Sequence, residues 1–289
     1  MITLTNKTLT VVISPLGAEL QSIKSADGTE YLWQGDPTFW KSRATNLFPV
    51  VGRLQGQSYT VAGEKYDIGI HGFLRHAQTQ PRQLSDTEAL FELEDNEDTR
   101  KQYPFSFVAG VQYRLEDSTL HIAYRVHNSG DSMMYFGLGG HPGFNIPLEK
   151  GLAFEDYMLC LDGASQRLLL SPSYLMSWQS EPFPLKDGCL PLRHDLFDDD
   201  AIVLKRTGGT RATLRSLKGT RSVTLDHPHM PYLGIWHKPH SQAPFVCLEP
   251  WLSLPGRDGV TEALETQPDL VHLAPGKDYA NHWSITIAQ

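Results

Sequence analysis

Three features are scarce in this chain: cysteine, clustered basic residues and long apolar segments. The three cysteines, Cys160, Cys189 and Cys247, are odd in number and far apart, whereas a disulfide framework or a zinc ribbon needs pairs at short spacing. We therefore expect buried, reduced thiols and a cytoplasmic protein.

Charge and hydropathy exclude further classes of partner. The 289 residues include 25 Lys and Arg against 33 Asp and Glu, a formal net charge of −8. No basic run offsets this charge, so neither nucleic acid nor an anionic membrane is an expected partner. No segment approaches the roughly 18 apolar residues of a membrane-spanning helix, and the first residues lack the pattern of a secretion signal.

Alternation of apolar and polar residues dominates the chain. It is clearest in LHIAYRVHN, residues 120–128, where the apolar side chains share one face at a period of two. SYTVAGEKYDI and LQSIKSADGTEYLW predict hairpins that turn at residues 62–64 and 27–28. The 19 prolines and 24 glycines interrupt most helical windows, and VTEALETQPDL predicts a short helical turn at most.

This pattern predicts an all-β protein. Many short antiparallel strands in a chain of this length imply a large sandwich or barrel, because extensive sheets must pack face to face or close. The sequence contains no convincing repeat or flexible linker, so we predict one domain over residues 1–289.

The segment GLGGHPGFN, residues 137–145, holds a lone histidine among four glycines and a proline. It is either a tight turn in which His141 is incidental or a site in which another molecule reaches the imidazole. In the second interpretation, the absence of Cβ at Gly139, Gly140 and Gly143 lets a ligand approach the backbone closely.

The segment FVCLEPW places Glu249 after four mostly apolar residues. A carboxylate in such surroundings is rarely there for packing, because burying an unpaired charge is costly. Desolvation would raise its pKa from about 4.3 towards that of a general base. Pairing with an arginine for structure is the alternative.

Two other segments carry cations and histidines. Arg53 follows an apolar run in NLFPVVGRLQG and is either a surface charge or a guanidinium fork for hydroxyls, a carboxylate or a phosphate. IHGFLRH holds His71, Arg75 and His76. Histidines five apart in an extended segment face opposite ways, so we expect His71, beside flexible Gly72, in a site and His76 on the surface.

A histidine-rich segment, DHPHMPYLGIWHKPH, suggests a metal site at first sight. His227 and His229 could point the same way along a strand, as in zinc sites, but Pro228 and Pro231 break strand geometry. No paired cysteine or close carboxylate supports a metal, so we expect none. Trp236 is expected as an aromatic platform or as core.

Taken in order, these segments resemble the aldose 1-epimerase (galactose mutarotase) family, in particular its bacterial LacX-like branch. The resemblance spans almost the whole chain, from SPLGAELQSIKSADGTEYLW through NLFPVVGRL, IHGFLRH and GGHPGFN to LFDDDAIVL, YLGIWHKP, CLEPW and LAPGKDYANHW. Each motif is short, but their order is specific. The resemblance implies a β-supersandwich of large, mostly antiparallel sheets, an isomerase without metal or cofactor, and interconversion of sugar anomers.

The resemblance also implies roles for single residues. Glu249 is similar to the family's catalytic base and His141 to its catalytic acid. The implied substrate-binding positions are Arg53, His71, Arg75, Trp236 and Asp200, the last with Asp198 and Asp199 as alternative registers. The HGFLRH segment departs from the galactose mutarotase pattern and leaves the sugar open.

The chemistry suits these residue types independently of the resemblance. Anomerisation needs one group that takes the proton of the anomeric hydroxyl and another that protonates the ring oxygen. A carboxylate and an imidazolium can exchange these roles near neutral pH.

Three alternatives stay open. The substrate could be a hexose 6-phosphate, held by Arg53, Arg75 and either Lys41 or Arg43. The protein could be a non-catalytic carbohydrate-binding β-sandwich. It could also be a glycoside hydrolase, although that reaction usually needs two carboxylates. We expect a monomer or homodimer.

Overall fold

The protein is built almost entirely of β-strands. A computed structural model describes residues 1–289, with the side chain of Ala164 outside the description. The first twelve strands are β1 (Ile2–Thr5), β2 (Leu9–Ile13), β3 (Leu20–Ser25), β4 (Ala44–Leu47), β5 (Ser58–Val61), β6 (Glu64–Asp67), β7 (Gln80–Ser85), β8 (Glu88–Glu94), β9 (Phe107–Glu116), β10 (Thr119–Asn128), β11 (Met134–Phe136) and β12 (Gly139–Asn145). The following twelve are β13 (Tyr157–Leu161), β14 (Ala164–Leu170), β15 (Met176–Pro182), β16 (Cys189–Pro191), β17 (Ile202–Thr207), β18 (Arg211–Ser216), β19 (Ser222–Asp226), β20 (Tyr232–Trp236), β21 (Phe245–Trp251), β22 (Glu262–Ala263), β23 (Val271–Leu273) and β24 (Asp278–Ala288).

Helical structure is confined to short segments. The helix α1 spans Glu97–Gln102 and begins at a capping box in which Asn96 and Thr99 bond each other's backbone N–H groups. Single 3₁₀ turns span Gln55–Gln57, Leu74–His76, Phe154–Asp156, His194–Phe197 and Leu264–Thr266. The last of these is the short turn predicted for VTEALETQPDL. No helix in the described chain is long and apolar enough to span a membrane.

Two large sheets organise the molecule. A nine-stranded sheet has the order β16-β13-β18-β19-β24-β10-β9-β8-β7, and a seven-stranded sheet has the order β15-β14-β17-β20-β21-β12-β4. Both are antiparallel throughout. The all-β, mostly antiparallel prediction is therefore confirmed.

The alternation of side chains along β21 shows how the seven-stranded sheet is used. Val246 and Leu248 point into the main hydrophobic core, which also takes the inner face of β10. Phe245 and Cys247 point the other way, into a smaller aromatic cluster. Glu249 shares their face, so the strand that is apolar on one side carries a carboxylate towards a cavity on the other.

The predictions of the alternating strand β10, of the β5–β6 hairpin and of a turn at residues 27–28 are confirmed, but only isolated bridges and no strand follow that last turn before β4 in the described chain. The residues at even positions of β10 are buried from Leu120 onwards. Strands β5 and β6 form a hairpin whose turn residues Ala62 and Gly63 have φ of 51° and 82°, the left-handed region that a two-residue turn requires. At the turn after β3, the N–H of Gly28 donates to the carbonyl of Ser25.

The prediction of three reduced thiols is wrong for two of them. Cys160 and Cys189 form a disulfide across β13 and β16. The register of these antiparallel strands sets Cys160 directly opposite Cys189, although 29 residues separate them in sequence. Spacing rules look for neighbouring cysteines along the chain and miss a pair that only strand register brings together. Cys247 is free and buried, as expected.

Candidate active site

A cavity of about 220 Å³ opens on the face of the seven-stranded sheet that carries Glu249. All seven predicted site residues line it: Arg53, His71, Arg75, His141, Asp200, Trp236 and Glu249. Three of them, His141, Trp236 and Glu249, lie on β12, β20 and β21. The other four lie outside the strands: Arg53 after β4, His71 after β6, Arg75 in the 3₁₀ turn Leu74–His76, and Asp200 after the 3₁₀ turn His194–Phe197. The tertiary structure thus gathers side chains from distant parts of the sequence into one concave site.

His141 and Glu249 lie at the floor of this cavity. Strand β12 pairs with β21 in a register that sets Gly139 opposite Trp251 and Gly143 opposite Cys247, which places His141 opposite Glu249. His141 Nε2 lies 3.4 Å from Glu249 Oε2, and the two side chains are 9% and 2% exposed. An imidazole and a carboxyl group therefore meet in a largely dry environment.

Burial dominates the proton affinities of this pair. It raises the pKa of Glu249 well above its usual value, and the negative charge of Asp200 adds to the effect. Burial, with the positive charge of Arg75, lowers the pKa of His141 to about 3. Both shifts disfavour a charged imidazolium–carboxylate pair and favour an uncharged pair with the proton on Glu249.

The glycines around His141 serve packing, which corrects the expected role for them. The segment is a regular strand, not a turn. A Cβ at Gly140 would lie 2.5 Å from the ring of Trp283, and one at Gly139 would lie 2.9 Å from the ring of Trp251. A Cβ at Gly143 would lie 3.2 Å from Trp40. These glycines admit tryptophan rings of the protein itself, so a ligand does not gain access to the backbone there.

His71 is held in one tautomer by the backbone. The ring nitrogen Nδ1 of His71 accepts a hydrogen bond from the backbone N–H of Gly52. The backbone N–H of His71 donates to the carbonyl of Gly52. Burial lowers the pKa of His71 well below its usual value, so the ring is neutral and carries its proton on Nε2. His76 is exposed, which agrees with the expected division between the two histidines.

Among the three consecutive aspartates, Asp200 is the one in the cavity. Its carboxylate lies 3.4 Å from Arg53 Nη1. Asp198 instead accepts a hydrogen bond from the N–H of His240 and lies 3.2 Å from that imidazole. The sequence left open which of the three aspartates faces the cavity. The 3₁₀ turn decides this, because Asp200 follows it with a left-handed φ of 73°.

Similarity to known proteins agrees with this geometry. Residues 1–286 match the family described as aldose 1-epimerase. The chain belongs to this aldose 1-epimerase family. It is 32% identical to the chromosomal protein LacX of Lactococcus lactis subsp. lactis, with 99% of each chain covered.

Solved structures of other family members resemble the chain closely. A galactose mutarotase related enzyme from Lactobacillus acidophilus superposes with a TM-score of 0.96 at 36% identity, over 100% of this chain and 97% of that one. A galactose mutarotase-like protein from Lactobacillus casei gives 0.94 at 34% identity, with 99% of each chain covered.

One aromatic residue of this epimerase-family cavity contacts His141 directly and was not among the predicted site residues. The ring of Trp40 stacks on His141 with centroids 4.7 Å apart and an interplanar angle of 22°. Trp236 meets the same imidazole edge-on at 5.8 Å. The pair of aromatics in DPTFW, in an otherwise polar loop, was the available signal for Trp40.

Two further aromatic residues of the cavity lay outside the predicted set. Tyr174 has its ring 5.4 Å from the guanidinium carbon of Arg53, and Trp251 closes the floor beside Glu249. Tyr174 belongs to a turn without any motif, so the sequence offered no signal for it.

Cys247 is the remaining polar neighbour of the acid–base pair. Within the described residues, its Sγ and ligand atoms of His141 and Glu249 lie within 4.8 Å of one another. Burial, reinforced by Glu249, raises the pKa of the Cys247 thiol well above its usual value. Since the thiolate is the form that ligates metals, this trio is better suited to proton transfer than to metal binding.

The two histidines of the segment first considered for zinc lie away from this cavity. His227 Nδ1 bonds the carbonyl of Met230, and the ring of His229 packs on that of His282. The two imidazoles therefore contact different partners and are not paired with each other, as two ligands of one zinc ion would be.

Proposed function

We propose that this protein is an aldose 1-epimerase that interconverts the α and β anomers of a free hexose. Glu249 acts as the base and His141 as the acid. The observation that carries the proposal is the 3.4 Å contact between His141 Nε2 and Glu249 Oε2 at the floor of a cavity lined by hydrogen-bonding groups.

The reaction follows from where the shared proton moves. Passage of the proton from Glu249 to His141 across the contact produces a carboxylate and an imidazolium. The carboxylate removes the proton of the anomeric hydroxyl while the imidazolium protonates the ring oxygen, and the bond between C1 and that oxygen breaks. Rotation about C1–C2 and reclosure with the proton roles reversed yield the other anomer.

The surrounding residues support binding of a polyhydroxylated ring. His71 offers an N–H donor, and the Arg53–Asp200 pair offers donors and an acceptor at the rim of the cavity. Trp236 provides an apolar surface beside them. This mixture of a few oriented polar groups and aromatic surface is typical of small-ligand sites.

Polarimetry on freshly dissolved α-glucose and α-galactose tests the proposal. We expect Glu249→Gln and His141→Asn to lower kcat by about 100-fold or more, the usual contribution of a positioned acid or base. The control is Glu64→Gln, which changes an exposed carboxylate. Sugar binding without any acceleration in the wild type would instead indicate a non-catalytic carbohydrate-binding protein.

A second candidate substrate, a hexose 6-phosphate, is favoured by Arg75. Its side chain lines the cavity and makes no hydrogen bond or ion pair within the described part of the chain, and burial lowers its pKa. A guanidinium that shares the cavity with Arg53 suits an anionic group. Arg43 bonds Gln21 and Gln34, so it does not belong to such a clamp.

Relative rates on glucose and glucose 6-phosphate separate the two candidates. If the phosphate ester is the substrate, Arg75→Gln lowers its kcat/KM by about tenfold or more, as expected for a charge-assisted contact, and leaves the slower reaction of glucose nearly unchanged. If free hexose is the substrate, the wild type prefers glucose.

A further inference from the structure

A second cavity, of about 350 Å³, lies beside the catalytic cavity. Its walls include Leu168, Trp178, Tyr232, Pro255, Arg257 and Asp269. None of the proposed catalytic or sugar-binding residues lines it, and nothing in the proposed reaction uses it.

The two cavities adjoin each other on one face of the sheet. Pro255 lines both of them. On β14, Leu168 lines the second cavity and Leu170 the catalytic one. Both side chains pack on the same small apolar cluster, so a ligand in the catalytic cavity can extend along this wall into the second one.

The loop between the cavities is held on both sides. The N–H of Gly256 donates to the carbonyl of Arg53, and the N–H of Met176 donates to the carbonyl of Gly256. A Cβ on Gly52 would lie 2.4 Å from the ring of Pro255. These contacts fix the edge that both cavities share.

The second cavity presents an aromatic surface to solvent. Trp178, on edge strand β15, is 73% exposed, and its ring lies 5.3 Å from the guanidinium carbon of Arg257. Arg257 is itself held by two hydrogen bonds to the fully buried Glu262. An indole steadied from one side by a fixed cation is a platform on which a ring can stack.

Polar groups accompany this platform. The half-buried Asp269 accepts a hydrogen bond from the N–H of Leu254 at 2.7 Å, and burial raises its pKa. It lines the cavity with the hydroxyl-bearing Tyr232. An exposed indole with a carboxyl and a hydroxyl close by matches a sugar, which has apolar C–H faces and a rim of hydroxyls.

We infer that the second cavity is a subsite for the neighbouring sugar unit of a reducing disaccharide or oligosaccharide. The reducing unit occupies the catalytic cavity and the next unit stacks on Trp178. This inference rests on the proposed epimerase function and names its substrate class.

Polarimetry with α-lactose, maltose and cellobiose, each compared with glucose, tests the subsite. We expect at least one disaccharide to have a kcat/KM about tenfold above that of glucose. Trp178→Ala removes this advantage and leaves the rate on glucose unchanged. The matched control is Leu217→Ala, which truncates an equally exposed apolar side chain, 74% exposed, elsewhere on the surface.

Binding provides a second readout that does not need turnover. Calorimetric titration of Glu249→Gln with the same disaccharides should show binding that Trp178→Ala weakens by about tenfold. If glucose is epimerised but Trp178→Ala affects no disaccharide, the subsite is overturned and the proposed function stands. If no sugar is epimerised but a disaccharide binds in a Trp178-dependent way, the epimerase proposal fails and the subsite stands.

Discussion

His141 and Glu249 face each other across β12 and β21, with Nε2 and Oε2 3.4 Å apart. The strand register sets this relationship, because the two side chains project from neighbouring antiparallel strands to the same face of the sheet. The two groups thus project from paired strands, whereas Arg53, His71 and Asp200 lie in loops.

The first prediction concerns the pH dependence of mutarotation. Catalysis requires the pair to hold one proton, so the rate is flat between the two pKa values. Because the pKa of His141 is lowered to about 3, kcat should show no acid limb between pH 6.5 and pH 4.5. Because the pKa of Glu249 is raised, the alkaline limb should lie above the usual titration range of a carboxyl group. Initial rates by polarimetry across this range check it.

The neighbouring charges supply a control for this pH profile. Arg75 lowers the pKa of His141, so Arg75→Gln should move the acid limb to higher pH. Circular dichroism at each pH ensures that the protein stays folded. A fall in kcat below about pH 6.5 in the wild type would contradict a lowered pKa of His141.

The second prediction is that Glu249→Gln stabilises the protein while it abolishes activity. The pKa of Glu249 is higher in the folded state than in the unfolded one, so wild-type stability is greatest below pH 4.5 and falls as the pH rises through that value towards the folded-state pKa. Glutamine does not titrate and avoids this loss. We expect Tm at pH 7 to rise by roughly 3 °C, the change that about 1 kcal/mol gives in a domain of this size.

Calorimetry at pH 4 and pH 7 checks the stability change. The difference between variant and wild type should be small at pH 4 and larger at pH 7. A variant that is less stable at pH 7 would show that Glu249 is ionised and favourably paired in the folded protein.

The third prediction assigns Trp40 a positioning role. His141 Nδ1 is buried without a hydrogen-bond partner in the described chain, so the stacked Trp40 ring orients the imidazole. We expect Trp40→Ala to lower kcat by about 10- to 100-fold, as small misplacements of catalytic groups do, and Trp40→Phe to retain most of it.

Separate kcat and KM values for both Trp40 variants decide this role. Loss confined to KM would indicate that Trp40 only contacts the sugar. If Trp40→Ala is as active as the wild type, Trp40 has no role in catalysis.

The fourth prediction separates the disulfide from catalysis. Cys160 and Cys189 join strands of the nine-stranded sheet, whereas the cavity lies on the seven-stranded one. The double variant Cys160→Ser/Cys189→Ser should be less stable by up to about 3.6 kcal/mol, the loop-entropy effect for a loop of this size, with kcat unchanged. Thermal melts and polarimetry with and without reductant measure both.

The double variant also serves as the control for reductant. Its Tm should not respond to reductant, while that of the wild type should fall towards the variant's value. A wild-type Tm that is insensitive to reductant would contradict a disulfide in solution.

Much of this architecture could be predicted because alternation is a local property. The strand β10 and the hairpin of β5 and β6 follow from residue patterns within about ten positions. Glu249 could be proposed from the sequence because a charge in an apolar run is costly without a partner. His141 stayed open between a turn and a site until the family resemblance favoured a site.

Other features depend on residues that only folding brings together. The stacking of Trp40 on His141, the choice of Asp200 over Asp198 and the pairing of Cys160 with Cys189 each join segments remote in sequence. The glycines of β12 were misinterpreted for the same reason, because the tryptophans that they accommodate lie on other strands and loops.

The sequence by itself determined the all-β class and pointed to Glu249 and His141, since alternation and residue chemistry are local properties. The family resemblance added Asp200, with Asp198 and Asp199 as alternatives. The tertiary structure alone decided that His141 meets Glu249 at 3.4 Å, and that a second cavity continues from theirs across Pro255. Distances between strands depend on register, and register is set by how the sheets pack as a whole.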